Sequence, residues 1–400
     1  MASIVPEKKM SIKEKLKMLD AVASKTNKKY NKVIMGRIGK TPEIMEKLTI
    51  KFIPTPSAHL NRDLGGGIPR ARCSIITGDP DSGKTSLLLE TIAVNMKEDP
   101  DFVAGWLESE HSLEKNYILD TFKIDPERFF FIPLDTEIGT EKTLDIVEGL
   151  IATGAVDMFC INSLRCLVPD KEREKEMSDA VVAEQARMNA KLMRKWTGLI
   201  AQYETAFCVV QHLTTAIGGY GDPKVLAGGE AFKYWSAVQL RLSKHSIQAT
   251  DPIGKEDGLK IGYMIKKNHC TPGAKRQYCK GEYFVRFGEG TDEVAPSIDV
   301  AIDAGILERH GAWLWWITPG EEEPRQKFKS KAEFVEVMKN DEKLWKEFYA
   351  LIQGNVPQEY LSEDEIAEIE EEERKLQKKA DETEKLLTEV ESESVEETAS

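Results

Sequence analysis

The residues GDPDSGKT, from Gly78 to Thr85, fit the pattern G-x-x-x-x-G-K-[ST], which is typical of phosphate-binding loops. They follow the strand-like run RCSIIT and precede the helical stretch SLLLETIAVNM, as this motif requires. Backbone N–H groups of such a loop turn towards phosphate oxygens, and the helix adds its positive dipole end. The alternative is a chance glycine-rich turn, which would need neither the strand nor the helix.

The motif predicts a nucleoside triphosphate site. Lys84 is expected to reach the β- and γ-phosphates, and the Thr85 hydroxyl is expected to bind Mg²⁺. The residues of this loop that are predicted to contact the nucleotide are Gly78, Asp79, Pro80, Asp81, Ser82, Gly83, Lys84, Thr85 and Ser86.

Two further strand-like runs end in polar residues. The run VDMFCI ends in Asn162, where an Asp is expected to orient the Mg²⁺ water shell. An amide can accept a hydrogen bond from metal-bound water without supplying charge, so weaker Mg²⁺ affinity or slower turnover is predicted. The other run continues as WLESEH, and Glu110 is the predicted general base for the water that attacks the γ-phosphate. The alternative reading of Glu110 is a solvated loop acid.

Strand-like and helix-length segments alternate over most of the chain, which indicates an α/β protein whose parallel sheet is covered on both faces. A helix-length segment follows each of the first three runs. Later runs come closer together, which predicts an antiparallel extension of the same sheet. The first runs are 72–77, 102–107, 156–161 and 207–211, and the later ones are 238–243, 261–266 and 283–287.

Both ends of the chain differ from this pattern. Residues 11–35 are typical of a short basic helix and arm, and the chain from about Pro296 predicts a small α/β domain with Trp313, Trp315 and Trp316 in its core. Residues 361–400 hold 16 acidic and 5 basic residues, so this tail carries −11 of the net charge of −13. The rest of the chain is therefore compatible with a nucleic-acid or nucleotide ligand.

The sequence shows no membrane or secretion signal. No run of about 18 apolar residues predicts a membrane helix, and the first residues, MASIVPEKKMSIKEK, lack the apolar stretch of a signal peptide. The six cysteines show no metal-type pairing. A cytoplasmic protein with reduced thiols is therefore expected.

From about Lys28 to Gln353 the chain resembles the RecA family of homologous-recombination ATPases. The segments that carry the resemblance are NKKYNKVIMGRIG, LNRDLGGGIPRARCSIITGDPDSGKTSL, ESEHSLEKNYIL, GAVDMFCINSL, ARMNAKLMRKW, AGGEAFKYWSAVQLRL, IKKNH, FGEGT and DAGILERHGAW. The resemblance implies a RecA-like P-loop ATPase core with a mostly parallel central sheet over 46–294. It also implies an N-terminal oligomerisation helix and arm over 1–45, a small C-terminal α/β domain over 295–356 and an acidic tail over 357–400.

The resemblance also implies roles for residues around ATP. Glu110 lies in S-E-H, where the family has A-E-H with its catalytic glutamate, whereas Asn162 departs from the family's Asp. His212 takes the position of the γ-phosphate sensor, which is usually Gln in bacterial members. Either side chain can donate a hydrogen bond to phosphate, but only His can become charged. The other implied contacts are with adenine, by Glu114, Tyr117, Phe287 and Gly288, and with the ATP of a neighbouring subunit, by Lys267 and by His269 in place of a second lysine.

A DNA surface is predicted from a basic helix face and two loops. Arg187, Lys191 and Arg194 lie at i, i+4 and i+7, so they share one face, for which a merely solvated basic face is the alternative. The resemblance assigns Arg187 and Arg194 to DNA. It places DNA-binding loops at about 170–182 and 214–229, the second just after His212. The loop residues assigned to DNA are Val182, Ile217, Gly218, Gly228, Gly229 and Glu230.

The resulting prediction is a DNA-dependent ATPase that uses ATP and Mg²⁺, forms filaments on single-stranded DNA, and catalyses homologous pairing and strand exchange with duplex DNA. Further copies of the chain, single-strand-binding proteins and loader proteins are the expected partners, and no membrane is involved. Asn162 and His269 motivate an alternative, a DNA-scaffolding filament that is switched by ATP and hydrolyses it little. A hexameric RecA-like motor is a second alternative, which the N-terminal arm and the small C-terminal domain argue against.

His212 and the acidic tail are similar to features of phage-encoded members of this family. A bacterial cell or a phage-infected bacterium is therefore the expected location. By its sign, the tail is expected to compete with DNA phosphates for basic surfaces of the protein.

Overall fold

The structure, a computed structural model, describes residues 10–173, 184–215, 224–226, 231–248, 254–270, 278–317 and 323–352. The predicted DNA contacts Val182, Ile217, Gly218, Gly228, Gly229 and Glu230 lie outside the described residues, as does the acidic tail. No helix in the described ranges is long and apolar enough to cross a lipid bilayer.

Eleven helices and fifteen strands lie within these described ranges. The helices are α1 Ile12–Tyr30, α2 Pro42–Leu48, α3 Ala58–Leu64, α4 Lys84–Glu98, α5 Thr140–Ile151, α6 Asp170–Arg173, α7 Glu184–Gln202, α8 Ala231–Trp235, α9 Val294–Asp303, α10 Lys331–Asn340 and α11 Glu342–Ile352. The strands are β1 Phe52–Ile53, β2 Ile68–Pro69, β3 Cys73–Gly78, β4 Ala104–Glu108, β5 Phe129–Pro133, β6 Met158–Asn162, β7 Ala206–Thr215, β8 Lys224–Leu226, β9 Val238–His245, β10 Gly258–Asn268, β11 Lys280–Arg286, β12 Gly290–Asp292, β13 Leu307–His310, β14 Trp313–Trp316 and β15 Gln326–Phe328.

The central sheet has the order β12-β11-β10-β9-β3-β7-β6-β4-β5, and β8 pairs with β7. The strands from β5 to β9 in this order are parallel, and β10, β11 and β12 follow in antiparallel pairing. The mostly parallel sheet is therefore confirmed. The antiparallel extension is confirmed for β10 and β11, but it is wrong for β9, which runs parallel to β3.

Side chains of the parallel strands alternate between two hydrophobic cores. On β3, Ile76 packs in the core beneath α4, whereas Ile75 packs in the core beneath α5 and α7. On β4, Trp106 packs in the core beneath α4 and Leu107 packs in the core beneath α5 and α7. Successive side chains of a strand point to opposite faces, so a continuous apolar run fills both layers. The two layers hold the ends of the parallel strands in fixed register, which positions the polar residues that follow.

The segment after β4 was not predicted correctly from its pattern. A helix was expected there, but the described chain has only a π-helical turn at Tyr117–Thr121 and a 3-10 turn at Pro126–Arg128 before β5. The strand β5 forms one edge of the sheet, with Phe130 50% and Phe131 40% exposed. Its short FFFIP run has no polar alternation and therefore no strand signal of period two.

The N-terminal helix α1 contains no buried residue, and several apolar side chains on it and on the following arm are exposed. After β12, α9, α10 and α11 pack on the small sheet β13-β14-β15 around a third core. The three tryptophans of β14 do not share that core, contrary to the prediction. Trp316 is fully buried in it, whereas Trp313 is 42% exposed and Trp315 stacks on His310 with ring centroids 3.8 Å apart.

Candidate nucleotide site

The loop between β3 and α4 requires small residues at its two glycines. A Cβ atom on Gly78 would lie 2.3 Å from the Ser82 Oγ and 2.6 Å from the Leu242 carbonyl oxygen. Gly83 has a φ of 82° just before α4, in the left-handed region that favours glycine. The predicted phosphate loop therefore has the strand, the tight turn and the helix start on which its chemistry depends.

Lys84 is 95% buried, and its Nζ donates a hydrogen bond to the Asp79 carbonyl oxygen at 2.7 Å. Burial lowers the pKa of Lys84, while the charges of Glu110, Asp79 and Asp81 act to raise it. The ammonium group is thus held over the loop at the first turn of α4. It is close enough to Glu110 for the two charges to interact.

Thr85, Asn162 and Glu108 form a chain of polar contacts beside this loop. The Thr85 hydroxyl donates to the Asn162 Oδ1 at 3.4 Å, and the Asn162 Nδ2 donates to the Glu108 Oε2 at 2.9 Å. Glu108 and Asn162 are opposite each other in the parallel pairing of β4 and β6, and both are buried. The two residues predicted to serve Mg²⁺, Thr85 and Asn162, are therefore brought together.

Glu110 and His212 meet at the same edge of the sheet. The His212 Nε2 lies 2.8 Å from the Glu110 Oε1, and because a carboxylate only accepts, Nε2 carries the hydrogen. His212 is also in register with Gly78, since β7 pairs with β3. The predicted base and the predicted phosphate sensor thus contact each other beside the phosphate loop.

The four residues predicted to contact adenine lie in two separate segments of the chain. The Tyr117 hydroxyl lies 2.9 Å from the Ser86 Oγ, while Glu114 is exposed on the same segment. Phe287 is 58% exposed in the turn that joins β11 to β12, and Gly288 follows with a φ of 80°.

The helix α4 also holds that turn through Glu90. Its two carboxylate oxygens accept from the Thr291 backbone N at 2.5 Å and from the Thr291 Oγ1 at 2.7 Å. A Cβ atom on Gly290 would lie 2.5 Å from the Glu90 Oε1, so glycine allows the close approach. The helix that follows the phosphate loop thus contacts both predicted adenine segments, directly or through a neighbour.

Lys267 and His269 lie at the other end of the parallel strands, level with the start of β3. Asn268 pairs with Val238, which pairs with Ser74, four residues before the end of β3. Four residues of a strand span roughly 13 Å. The Lys267 Nζ donates to the carbonyl oxygens of Lys233 and Tyr234, both at 3.1 Å. Neither residue is brought to the phosphate loop of its own chain.

The basic face of α7 is exposed, as its spacing predicts. Arg187 and Arg194 are exposed, whereas Met193 and Trp196 of the other face are buried in the core. Arg187 also forms an ion pair with Glu184 at 2.9 Å. The arginines assigned to DNA therefore share a solvent-facing surface. The two loops expected to complete it are described only in part: Asp170–Arg173 forms α6, and residues 214–215 and 224–226 belong to the paired strands β7 and β8.

Two buried carboxylates at the site were not identified from the sequence. The sequence pattern favours Glu110 as the acid of this segment, and Glu90 has the pattern of an ordinary helix residue. The position of Glu108 at the end of a strand, level with Asn162, was the available signal. The role of Glu90 depends on a contact 201 positions along the chain, for which the sequence contains no local signal.

Residues 17–290 match the model of the RecA N-terminal domain. The chain is 32% identical to Protein RecA of Thermus aquaticus over 328 residues, which cover 80% of this chain and 92% of that protein. It is 33% identical to Protein RecA of Campylobacter lari over 305 residues, covering 75% and 83%. With Protein RecA of Nostoc sp. the identity is 30% over 364 residues, covering 90% and 98%.

Proposed function

This chain belongs to the RecA family of homologous-recombination ATPases, and from that membership we propose a role for each part of its site. As a member of the family it is an ATP-dependent recombinase with DNA-dependent ATPase activity, acting in recombination and repair. The observation that carries the detailed proposal is the convergence of Lys84, Glu110 and His212 at the carboxyl edge of the sheet.

ATP binds with its phosphates in the loop from Gly78 to Thr85 and with adenine near Tyr117 and Phe287. The loop and α4 supply backbone N–H groups and the charge of Lys84 to the phosphates. Ser86 lies within hydrogen-bond distance of Tyr117, and Glu90 holds the segment that follows Phe287. These contacts support a single nucleotide lying along the first turns of α4.

Mg²⁺ fits the oxygen atoms of Thr85 and Asn162, because it prefers oxygen ligands and usually retains waters and substrate phosphates as further ligands. Among the described residues no group of three or more His, Cys, Asp or Glu side chains could hold a metal by itself. When bound, Mg²⁺ would neutralise charge on the phosphates. Thr85 and Asn162 would hold it at the end of β6.

Glu110 accepts a proton from the water that attacks the γ-phosphorus. The new P–O bond forms as the bond to the β,γ-bridging oxygen breaks, which yields ADP and inorganic phosphate. A γ-phosphate offers the Nε2–H of His212 an alternative acceptor to Glu110. Exchange of that hydrogen bond would free Glu110 to accept from water. The position of His212 on β7 would then depend on whether the γ-phosphate is present.

The strand β7 links this sensor to the predicted second DNA loop. It continues three residues past His212 to Thr215 and pairs there with β8, so the segment just after His212 is a strand pair and not a loop. A shift of His212 is therefore transmitted along a paired strand towards the residues assigned to DNA. Arg187 and Arg194 would add contacts with phosphates, which bind largely without regard to base sequence.

Filament assembly would place Lys267 and His269 at the ATP of a neighbouring copy, since both lie away from their own phosphate loop. The exposed apolar residues of the N-terminal helix and arm, among them Leu19, Val22 and Ile34, suit a contact with the next subunit's core. The exposed edge strand β5 offers one such surface. We include in the proposal the domain division at 45, 294 and 356.

Single-stranded DNA and homologous duplex DNA are the proposed polymer partners, with single-strand-binding and loader proteins assisting assembly. The proposed location is the cytoplasm of a bacterial cell or of a phage-infected bacterium. These assignments extend the family's function to this chain.

The proposal is tested with Lys84→Ala. The variant should lose ATP binding and with it ATP-dependent filaments on single-stranded DNA, as seen by negative-stain imaging with a non-hydrolysable ATP analogue. Lys97→Ala, at the exposed end of the same helix, is the matched control and should form filaments normally. Normal filaments and strand exchange by the Lys84 variant would show that the assigned nucleotide site is wrong.

A further inference from the structure

The carboxylate of Glu108 lies where the nucleotide site has no assigned residue. Glu108 ends β4 and is only 2% exposed, beside Asn162 at the end of β6. Its Oε2 accepts from the Asn162 Nδ2 at 2.9 Å. A carboxylate can only accept, so this contact fixes which end of the Asn162 amide faces Glu108. The Asn162 Oδ1 is thereby directed to the Thr85 hydroxyl, on the phosphate-loop side.

We propose that Glu108 is a positioning residue that fixes the amide oxygen of Asn162 towards the Mg²⁺ site, and that the pair replaces the single Asp expected at the end of β6. This inference rests on the proposed ATP site. The neutral amide supplies the oxygen, and the negative charge that it lacks is carried by the neighbouring strand. The pair thus supplies both the oxygen and the negative charge that a single Asp at the end of β6 would supply.

The length of the Glu108 side chain suits this role. Glu108 and Asn162 are directly opposite on neighbouring strands, which are about 4.8 Å apart, and the longer acidic side chain brings its Oε2 to 2.9 Å from the Asn162 Nδ2. Glu108 is also held at its other contacts. The Trp106 Nε1 donates to its Oε2 at 3.0 Å, and the Glu110 backbone N donates to its Oε1 at 3.1 Å. The carboxylate therefore has a fixed orientation.

A merely structural role for Glu108 would give a different result from the proposed one. If the carboxylate only supported the fold, its loss would weaken nucleotide binding equally with and without Mg²⁺. If it orients the amide of Asn162, its loss would weaken only the Mg²⁺-dependent part of binding. Residues that orient a metal ligand typically change metal affinity by about 10- to 100-fold.

The experiment measures binding of a fluorescent ATP analogue to Glu108→Gln as a function of Mg²⁺ concentration. The half-saturating Mg²⁺ concentration should rise at least tenfold, while binding of the analogue in EDTA stays within about twofold of the parent. Glu127→Gln, an exposed glutamate near β5, is the control and should match the parent. An unchanged Mg²⁺ dependence, or an equal loss with and without Mg²⁺, would overturn the proposal.

A second pair of variants covers the case in which Glu108→Gln does not fold. Glu108→Asp keeps the charge but shortens the side chain, so it should raise the half-saturating Mg²⁺ concentration as well. Asn162→Asp should lower the thermal unfolding temperature of the nucleotide-free protein, because two carboxylates would face each other at hydrogen-bond distance. Adding Glu108→Gln to Asn162→Asp should recover part of that loss; strictly additive losses would contradict the pairing.

The design separates this inference from the proposed function. A parent protein that does not bind the analogue would refute the ATP site itself. A parent that binds it, with an Mg²⁺ dependence insensitive to Glu108, would refute only the role of Glu108.

Discussion

Two carboxyl groups beneath the surface near α4 differ in how they are satisfied. Glu108 accepts from the side chains of Trp106, Asn162 and Ser112 and, through Oε1, from the backbone N–H groups of Glu110 and Ser112. Glu293 accepts from the Ala58 backbone N at 2.5 Å, but its buried Oε1 has no partner among the described residues. Burial alone therefore does not decide whether an enclosed acid is stabilising. The number of donors directed at it does.

The surroundings of Glu293 are also acidic. Burial raises its pKa to about 8 and the nearby charges of Glu90 and Asp292 act in the same direction, while hydrogen bonds from Ala58 and Ser57 act against them. Burial likewise raises the pKa of Glu90, against the effect of its two bonds to Thr291. Glu108, at the nucleotide site, thus has several hydrogen-bond donors. Glu293, at the junction with the C-terminal unit, is instead stabilised in its protonated form.

Replacing Glu108 by Leu should have the largest effect on stability. The change leaves the Trp106 Nε1 and the Asn162 Nδ2 buried without their acceptor, together with two backbone N–H groups. A loss of about 3–5 kcal/mol in the free energy of unfolding is expected, as when one partner of a buried charged contact is removed. Urea unfolding measures it, with Glu127→Leu as the exposed control. A loss no greater than that of the control would show that the donors find other partners.

The Glu293→Gln substitution should instead stabilise the protein at neutral pH. The ordinary pKa of 4.5 applies to the unfolded chain and about 8 to the fold, so the fold holds more protons between these values. Stability is therefore fully present below pH 4.5 and declines as pH rises towards 8. At 1.36 kcal/mol per pH unit, the decline is about 3 kcal/mol by pH 7.

Gln cannot ionise, so the variant should lose this pH dependence and exceed the parent in stability at pH 7, while the two proteins converge near pH 5. Urea unfolding at several pH values measures both. Glu289→Gln, an exposed neighbour with 72% of its side chain accessible, should keep the slope of the parent. Equal slopes for Glu293→Gln and the parent would exclude Glu293 as the titrating group.

Removing the Glu90 carboxylate should have an intermediate effect. Glu90→Ala deletes both hydrogen bonds to Thr291 and removes the acceptor of the Thr291 backbone N–H. The free energy of unfolding should therefore fall by about 1–3 kcal/mol. ATP affinity should fall as well, because the turn with Phe287 is no longer held against α4. Thr291→Val removes only the hydroxyl contact and should show a smaller effect on both. Urea unfolding and ATP titration of the two variants provide the test. Unchanged ATP affinity in Glu90→Ala would contradict the proposal that Glu90 holds the turn with Phe287 against α4.

The smallest effect on stability is expected for the acids of the tail. Unlike the buried Glu108 and Glu293, these acids are numerous and lie together in one segment of the sequence. Deleting residues 361–400 removes a net charge of −11. Affinity for single-stranded DNA should rise several-fold at low salt and approach that of the parent at high salt, where such charges are screened. Fluorescence anisotropy over a salt series measures this. Coincident binding curves at low salt would reject competition by the tail.

The parallel core was predictable because its strands are continuous apolar runs. The runs 72–77 and 156–161 became β3 and β6 with shifts of one or two residues. The direction of β9 was not predictable, because its pattern reads the same in either direction and only its neighbour β3 decides the pairing. The edge strand β5 was not predictable, because a run of five apolar residues without alternation does not by itself distinguish a strand from a helical segment.

The sequence by itself determined the phosphate loop, since that loop is one contiguous segment in which every residue contributes to a local turn. It also determined the types of side chain available for catalysis, including Glu110 and His212. Only the tertiary structure decided which of them meet. Glu108 contacts Asn162 across 54 residues, and Lys267 lies away from its own ATP site, because strand order and register arise from packing the whole sheet.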